Sequence, residues 1–186
     1  MTHSFSRRNF LLASALGMFA PGFVVDGSLA AATGVFPNVS GENLNGKTFS
    51  FPQDFAAERT LILFAYEREQ AQALTSWIEG LALREKSIPW FEMPIISSPY
   101  RIGSFIIDRG MRSGIPDPKI RERVVTIYTN QALFSQALGI PFEKSAAYAL
   151  IVDRRGKNLG FVTGAYTPAK AAIILRLLKT KDRKPA

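Results

Sequence analysis

The chain has 186 residues, with 23 Lys or Arg against 15 Asp or Glu and a formal net charge of +8. Hydrophobic residues make up 47% and charged residues 20%, the balance of a globular protein large enough for one well-packed core. There is no cysteine, and the one histidine is His3. The missing cysteines exclude thiol–disulfide exchange, peroxidatic cysteine chemistry and Cys/His zinc sites. With His3 in the leader described next, His-ligated haem and His-dependent triads fall away too.

The chain opens Ser6-Arg7-Arg8-Asn9-Phe10-Leu11-Leu12, and an apolar run extends from Phe10 to Ala20. That run is shorter than the ~20 residues needed to span a bilayer. Pro21, Gly22 and Asp26 interrupt it, and Ala30-Ala31-Ala32 offers small residues for signal cleavage. The paired arginines before Phe and Leu resemble the twin-arginine export signal. That resemblance implies a bacterial protein carried folded to the periplasm. Removing residues 1–32 takes away two arginines and one aspartate, so the mature chain stays basic. No later apolar stretch approaches spanning length.

Residues 33–46, rich in Gly and Asn, read as a leading loop ending in the turn signal Asn45-Gly46. A domain over 47–179 follows, and residues 180–186 form a basic tail. Lys47 to Phe51 alternates like a half-buried strand, with Pro52 at its end. Thr60 to Tyr66 is a continuous apolar run, expected as a central strand covered on both faces. Leu74, Trp77, Ile78 and Leu81 recur at helical spacing, predicting a helix over roughly 69–84. Trp90 to Ile96 reads as a second central strand, which Pro94 would weaken or place at an edge or a strand end.

Residues 99–123 are irregular, with a helical face at Ile102, Phe105 and Ile106 and a break at Gly114 to Pro118. Val124 to Tyr128 is a strand. Thr129 or Asn130 then caps a helix with an expected buried face of Leu133, Phe134, Ala137 and Leu138. Gly139 ends it, with Pro141 beyond. Tyr148 to Val152 is a strand, Asp153-Arg154-Arg155-Gly156 a hairpin turn, and Asn158 to Val162 the returning strand. Thr167-Pro168 begins a last helix with the apolar stripe Ile173, Ile174, Leu177 and Leu178.

Strand–helix–strand units imply parallel pairs joined by crossovers, and the terminal hairpin adds antiparallel strands. This order makes the fold class α/β. Four local patterns go with it: Asn45-Gly46-Lys47 at the opening strand, Leu61 to Phe64 before a long helix, Ile151 to Gly156 in the hairpin, and Gly164 to Thr167 before the last helix. Together, over roughly 43–178, they resemble the thioredoxin-like superfamily in its peroxiredoxin and TlpA-like form. The resemblance implies a three-layer sandwich with a central mixed sheet and a helical insert. It also places the family's C-x-x-C motif on Glu69-Gln70-Ala71-Gln72 and its cis-proline near Ala147. Both redox features are therefore missing. A second, shorter resemblance is to the mitochondrial ATP synthase assembly factors. It rests on Ile102 to Pro116, with Phe105, Arg109, Arg112 and Ile115-Pro116, and on Tyr148 to Asp153. It implies a thioredoxin-like fold that acts through protein contacts.

No phosphate-binding glycine loop is present. Asp108, Asp117 and Asp153 are scattered at turn and helix positions where Asp is common. Ser97-Ser98, and Ser145 beside Lys144, are formal dyad candidates. Met93, Met111 and the tyrosines are the weak candidates for haem or metal ligation, and no cofactor is expected. Arg101, Arg109, Arg112, Lys119, Arg121 and Arg123 crowd one stretch. They suggest a docking surface for an acidic envelope protein or an anionic membrane, or simply a solvated basic face. Nucleic acid is not a periplasmic partner. The leading expectation is an exported, non-redox, protein-binding factor, such as an assembly or accessory factor of an envelope complex. The alternative is an enzyme or small-ligand binder built around Glu69 and Gln72, where a carboxylate would suit a helix N-terminus.

Overall fold

The computed structural model describes residues 34–97 and 114–180. The strands are β1 (Val39–Asn43), β2 (Thr48–Phe51), β3 (Arg59–Ala65), β4 (Trp90–Ser97), β5 (Val125–Thr129), β6 (Ala147–Asp153) and β7 (Asn158–Thr163). The helices are α1 (Ala71–Gly80), α2 (Pro118–Arg121), α3 (Gln131–Leu138) and α4 (Pro168–Lys179), with a 3-10 turn at Arg68–Gln70 before α1. The strands form one sheet in the order β2-β1-β5-β4-β3-β6-β7. The β3–β4 and β4–β5 pairs are parallel; the other four are antiparallel.

Alternation along the strands sends side chains to two cores. Ile62 and Phe64 of β3, with Phe91 and Met93 of β4, join Phe36, Phe51 and Phe55 and the α3 residues Phe134 and Leu138. Leu61 and Leu63, with Trp90, join Leu74, Trp77 and Ile78 of α1, Ile120 of α2, and Ala171 and Ile174 of α4. The result is three layers: α3 on one face, the sheet, and α1, α2 and α4 on the other. Each fully buried aromatic or aliphatic side chain contributes ~1.5–3 kcal/mol against the entropy of ordering the chain.

The local signals that hold are those with a bond to make. Asn130 caps α3 by accepting from Leu133 N at 3.0 Å, and Gly139 ends that helix at φ +65°. Thr167 caps α4 by accepting from Lys170 N at 3.3 Å, with Pro168 as the first helical residue. The Asp153 side chain accepts from Arg155 N and Lys157 N, both at 2.8 Å, which closes the β6–β7 hairpin.

Four expectations change. The segment read as a leading loop contains β1, hydrogen-bonded between β2 and β5, and the core residue Phe36. Its strand VSGEN is small and polar because it is only half covered. The first long helix is shorter than expected. It stops at Gly80, and Ala82 reverses the chain at φ +50°. On α3, Leu133 is 61% exposed while Gln131 and Ser135 are buried. Those two polar side chains turn inward because buried backbone and hydroxyl groups need them, as described below. Finally, Pro94 lies in an interior strand. Residues 90–94 of β4 register with β3 and residues 95–97 with β5. Glu92 N donates to Arg123 O at 2.9 Å, and two residues on Pro94 has no N–H for that side. Pairing with β5 resumes at Ile95, so the proline costs the ladder one bond at a point where the strand changes partner.

Candidate functional site

Five residues are expected at a degenerate redox position: Glu69, Gln70, Ala71, Gln72 and Ala147. The structure places them at one end of the sheet. Glu69 and Gln70 lie in the 3-10 turn after β3, and Ala71 and Gln72 open α1. Ala147 starts β6 directly across from Ala65, the last residue of β3, and is buried. With its amide nitrogen oriented as donor, Gln70 reaches Glu67 O at 3.1 Å and Lys144 O at 3.2 Å. That pair of bonds ties the helix start to the loop before β6.

Glu69 points outward and is exposed. Three residues before it, Tyr66 belongs to an aromatic cluster whose outer member, Phe142, is exposed. Tyr66 packs against Phe64, Tyr148 and Phe142, with ring centroids 5.7, 5.9 and 5.2 Å away. Phe64 and Tyr148, opposite each other on β3 and β6, stack at 4.7 Å. The Tyr66 hydroxyl is hydrogen-bonded to Ser135 Oγ of α3. The Tyr148 hydroxyl donates to Pro141 O at 2.7 Å and accepts from Glu143 N at 3.2 Å. Gln131 Nε2 donates to Ile95 O at 2.7 Å and Tyr66 O at 3.2 Å, satisfying carbonyls at the ends of β4 and β3.

Burial pushes both phenols up from the ordinary tyrosine range, and the Ser135 bond only partly offsets this at Tyr66. Neutral, bonded hydroxyls of this kind position rings; they are not poised to move protons at physiological pH. Two concavities stand out among the described residues, and neither is lined by Glu69 or Gln72. Among the described residues no group of three or more His, Asp or Glu is placed to hold a metal ion. Met93 is a core residue with no exposed surface. Lys144 and Ser145 are exposed neighbours in the loop before β6.

Of the basic residues proposed for docking, Arg121 ends α2 and Arg123 follows it. Arg121 Nη2 donates to Pro116 O at 3.3 Å, while the exposed Arg123 accepts Glu92 N on its carbonyl. Arg101, Arg109 and Arg112 lie outside the described residues, as do the leader and Met111. Ile115-Pro116 occupies the link before α2. No helix among the described residues is long and apolar enough to cross a membrane.

Sequence reasoning missed Glu92. It shares a sheet face with Trp90 and Leu63, towards the α1 and α4 layer. Burial raises its carboxyl from 4.5 to about 7, against the pull of the Arg84 guanidinium. The signal was there: in the alternation from Trp90 to Ile96, position 92 falls on the face of Trp90.

No family model matches the chain, and no curated protein matches it by sequence. Solved structures do. A member of the Sco family of cytochrome c oxidase assembly proteins, BsSco, superposes with a TM-score of 0.55 at 13% identity, covering 78% of this chain and 92% of that one. A protein of Aquifex aeolicus VF5, provisionally assigned to electron transfer, superposes at 0.56 with 10% identity, covering 80% of this chain and 99% of that one. The fold is thioredoxin-like. At such identities the likeness fixes the architecture and leaves the activity to the residues. In this thioredoxin-like chain the end of β3 carries a turn without cysteine, backed by a hydrogen-bonded aromatic cluster.

Proposed function

We propose that this is an exported, non-redox thioredoxin-like protein that acts by binding another protein of the bacterial envelope, as an assembly or accessory factor. The observation that carries the reading is the aromatic cluster at the cysteine-free end of β3. Tyr66 packs between Tyr148 and the exposed Phe142, and the two tyrosine hydroxyls are engaged by Ser135 and Pro141. A sheet end built this way offers surface rather than a reaction chamber. The Arg7-Arg8 leader supports export. The basic stretch Arg101 to Arg123 supports an acidic partner, by charge complementarity. The resemblance to ATP synthase assembly factors, and the likeness to a member of the Sco family of cytochrome c oxidase assembly proteins, point in the same direction.

The test is affinity capture of the tagged mature protein from native envelope, with a charge-reversed Arg109→Glu/Arg112→Glu/Arg121→Glu variant alongside. A stoichiometric partner that the variant loses supports the reading. Equal recovery by both proteins removes the basic stretch as the contact, and a clean, partner-free protein overturns the binding role.

A further inference from the structure

The opposite end of the sheet, where β3 and β4 begin, holds a concavity of about 720 Å³. Three chain connections wall it: the β2–β3 loop through Asp54 and Ala57, the α1–β4 turn from Leu83 to Pro89, and α2 with its exit to Arg123. Two of them are bonded to the sheet, and one of these also to α1. Leu61 N donates to Pro89 O at 2.9 Å and Glu92 N to Arg123 O at 2.9 Å, while Leu83 N donates to Ile78 O of α1 at 2.9 Å. A volume of this size lies within the ~300–1,000 Å³ typical of small-molecule sites.

Its lining has two parts. The floor is apolar: half-buried Ile88, with Trp90 and Ile120 on one face of the sheet and Phe91 on the other, all three nearly buried. The rim carries four cations, Arg84, Lys86, Lys119 and Arg123, all exposed, against two carboxylates, Asp54 and Glu122. Asp54 is already engaged, accepting from Ser50 N at 2.6 Å. Glu92, which feels the Arg84 guanidinium, titrates at about 7 and so offsets that cation only in part at neutral pH. A positive rim above an apolar floor selects a ligand with the inverse pattern.

We propose that this cavity binds a small organic anion, with a phosphate or carboxylate head met by Arg84 and Arg123 and an apolar body against Ile88 and Trp90. The site lies at the other end of the strands from the degenerate redox turn. It therefore needs no thiol chemistry, although Lys119 and Arg123 on its rim also belong to the basic stretch assigned above to the partner.

The test uses the full mature chain at low ionic strength, titrated calorimetrically with phenyl phosphate, inorganic phosphate and benzylamine. Phenyl phosphate is expected to bind more tightly than inorganic phosphate, and benzylamine not at all. An Arg84→Gln/Arg123→Gln variant is expected to lose roughly tenfold or more of the affinity, as truncated charge pairs do. Ser87→Trp, which fills the cavity and leaves every charge in place, is expected to lose it as well. Thermal unfolding of each variant without ligand checks that it folds. Undiminished binding by both folded variants overturns the site. Equal affinity for phenyl and inorganic phosphate overturns the organic ligand. Absence of phenyl phosphate binding at millimolar concentration overturns the proposal entirely.

Discussion

Tyr66, one residue beyond the central strand, and Ser135, in the middle of α3, join their hydroxyls in a buried hydrogen bond across 69 residues of sequence. The bond locks the helix on one face of the sheet to the end of β3. Tyr66→Phe keeps the ring and removes the bond, leaving Ser135 Oγ without this partner. The expected loss is about 1–2 kcal/mol, read as a lower urea midpoint at unchanged slope. In a double-mutant cycle with Ser135→Ala, the pair should be less destabilised than the sum of the singles. Strict additivity would show that the two hydroxyls do not support one another.

Gln131 carries two buried carbonyls on one amide nitrogen. Gln131→Leu fills the space but leaves Ile95 O and Tyr66 O without that donor. A destabilisation of about 1–3 kcal/mol is expected by chemical denaturation. Amide exchange at the C-terminal ends of β3 and β4 should quicken more than in β7. A variant as stable as the parent would show that those carbonyls find other donors.

Glu92 makes stability depend on pH in a direction unusual for a carboxylate. Its pKa is about 7 in the folded chain against 4.5 for an ordinary carboxyl. Between those values the folded state holds a proton that the unfolded state has released, so stability is highest at or below about 4.5 and falls as pH rises through 7. The contribution lost over that window is on the order of 3 kcal/mol at most. Glu92→Gln should flatten this part of the pH profile and raise the melting temperature at pH ~8, where the parent must carry the buried charge. A parallel profile for both proteins would remove Glu92 as its source.

Gly80, the last residue of α1, lies against the ring of Tyr166. A Cβ there would come within 2.6 Å of the ring, which itself packs edge-on against Trp77 at 5.5 Å. An exposed helical Gly→Ala change normally stabilises by up to ~1 kcal/mol. Here crowding should reverse the sign, and Gly80→Ala is expected to cost about 1–3 kcal/mol. Gly114→Ala, at an exposed helical position where an added Cβ meets nothing within 4 Å, is the control and should show the ordinary small stabilisation. Calorimetric melting of both variants checks the contrast.

The parts of the fold legible in sequence are those where one local pattern carries the structural cause. The short apolar run of β3 reads as an interior strand, and Asn130 and Thr167-Pro168 announce helix starts by the bonds they make. That a helix starts shortly after β3 could be read by counting from that strand. The aromatic cluster at the end of β3 could not, because Tyr66, Ser135, Phe142 and Tyr148 come from four separate segments. β1 was hidden because a half-covered strand of Ser, Gly, Glu and Asn carries almost no hydrophobic period. Leu133 was misplaced on a buried face because periodicity ranks apolar residues first. The fold instead turned Gln131 and Ser135 inward to satisfy polar groups that no helical pattern reveals.

The exchange of partners at Pro94 divides the sheet mechanically. β2, β1 and β5 make one ribbon and β3, β6 and β7 another, and β4 alone is stitched to both. On the β5 side that seam registers only over Ile95 to Ser97, with one isolated bridge between Glu92 and Val124. A load pulling the ribbons apart would unzip this short parallel seam before it touched the seven-residue register of β3 with β6.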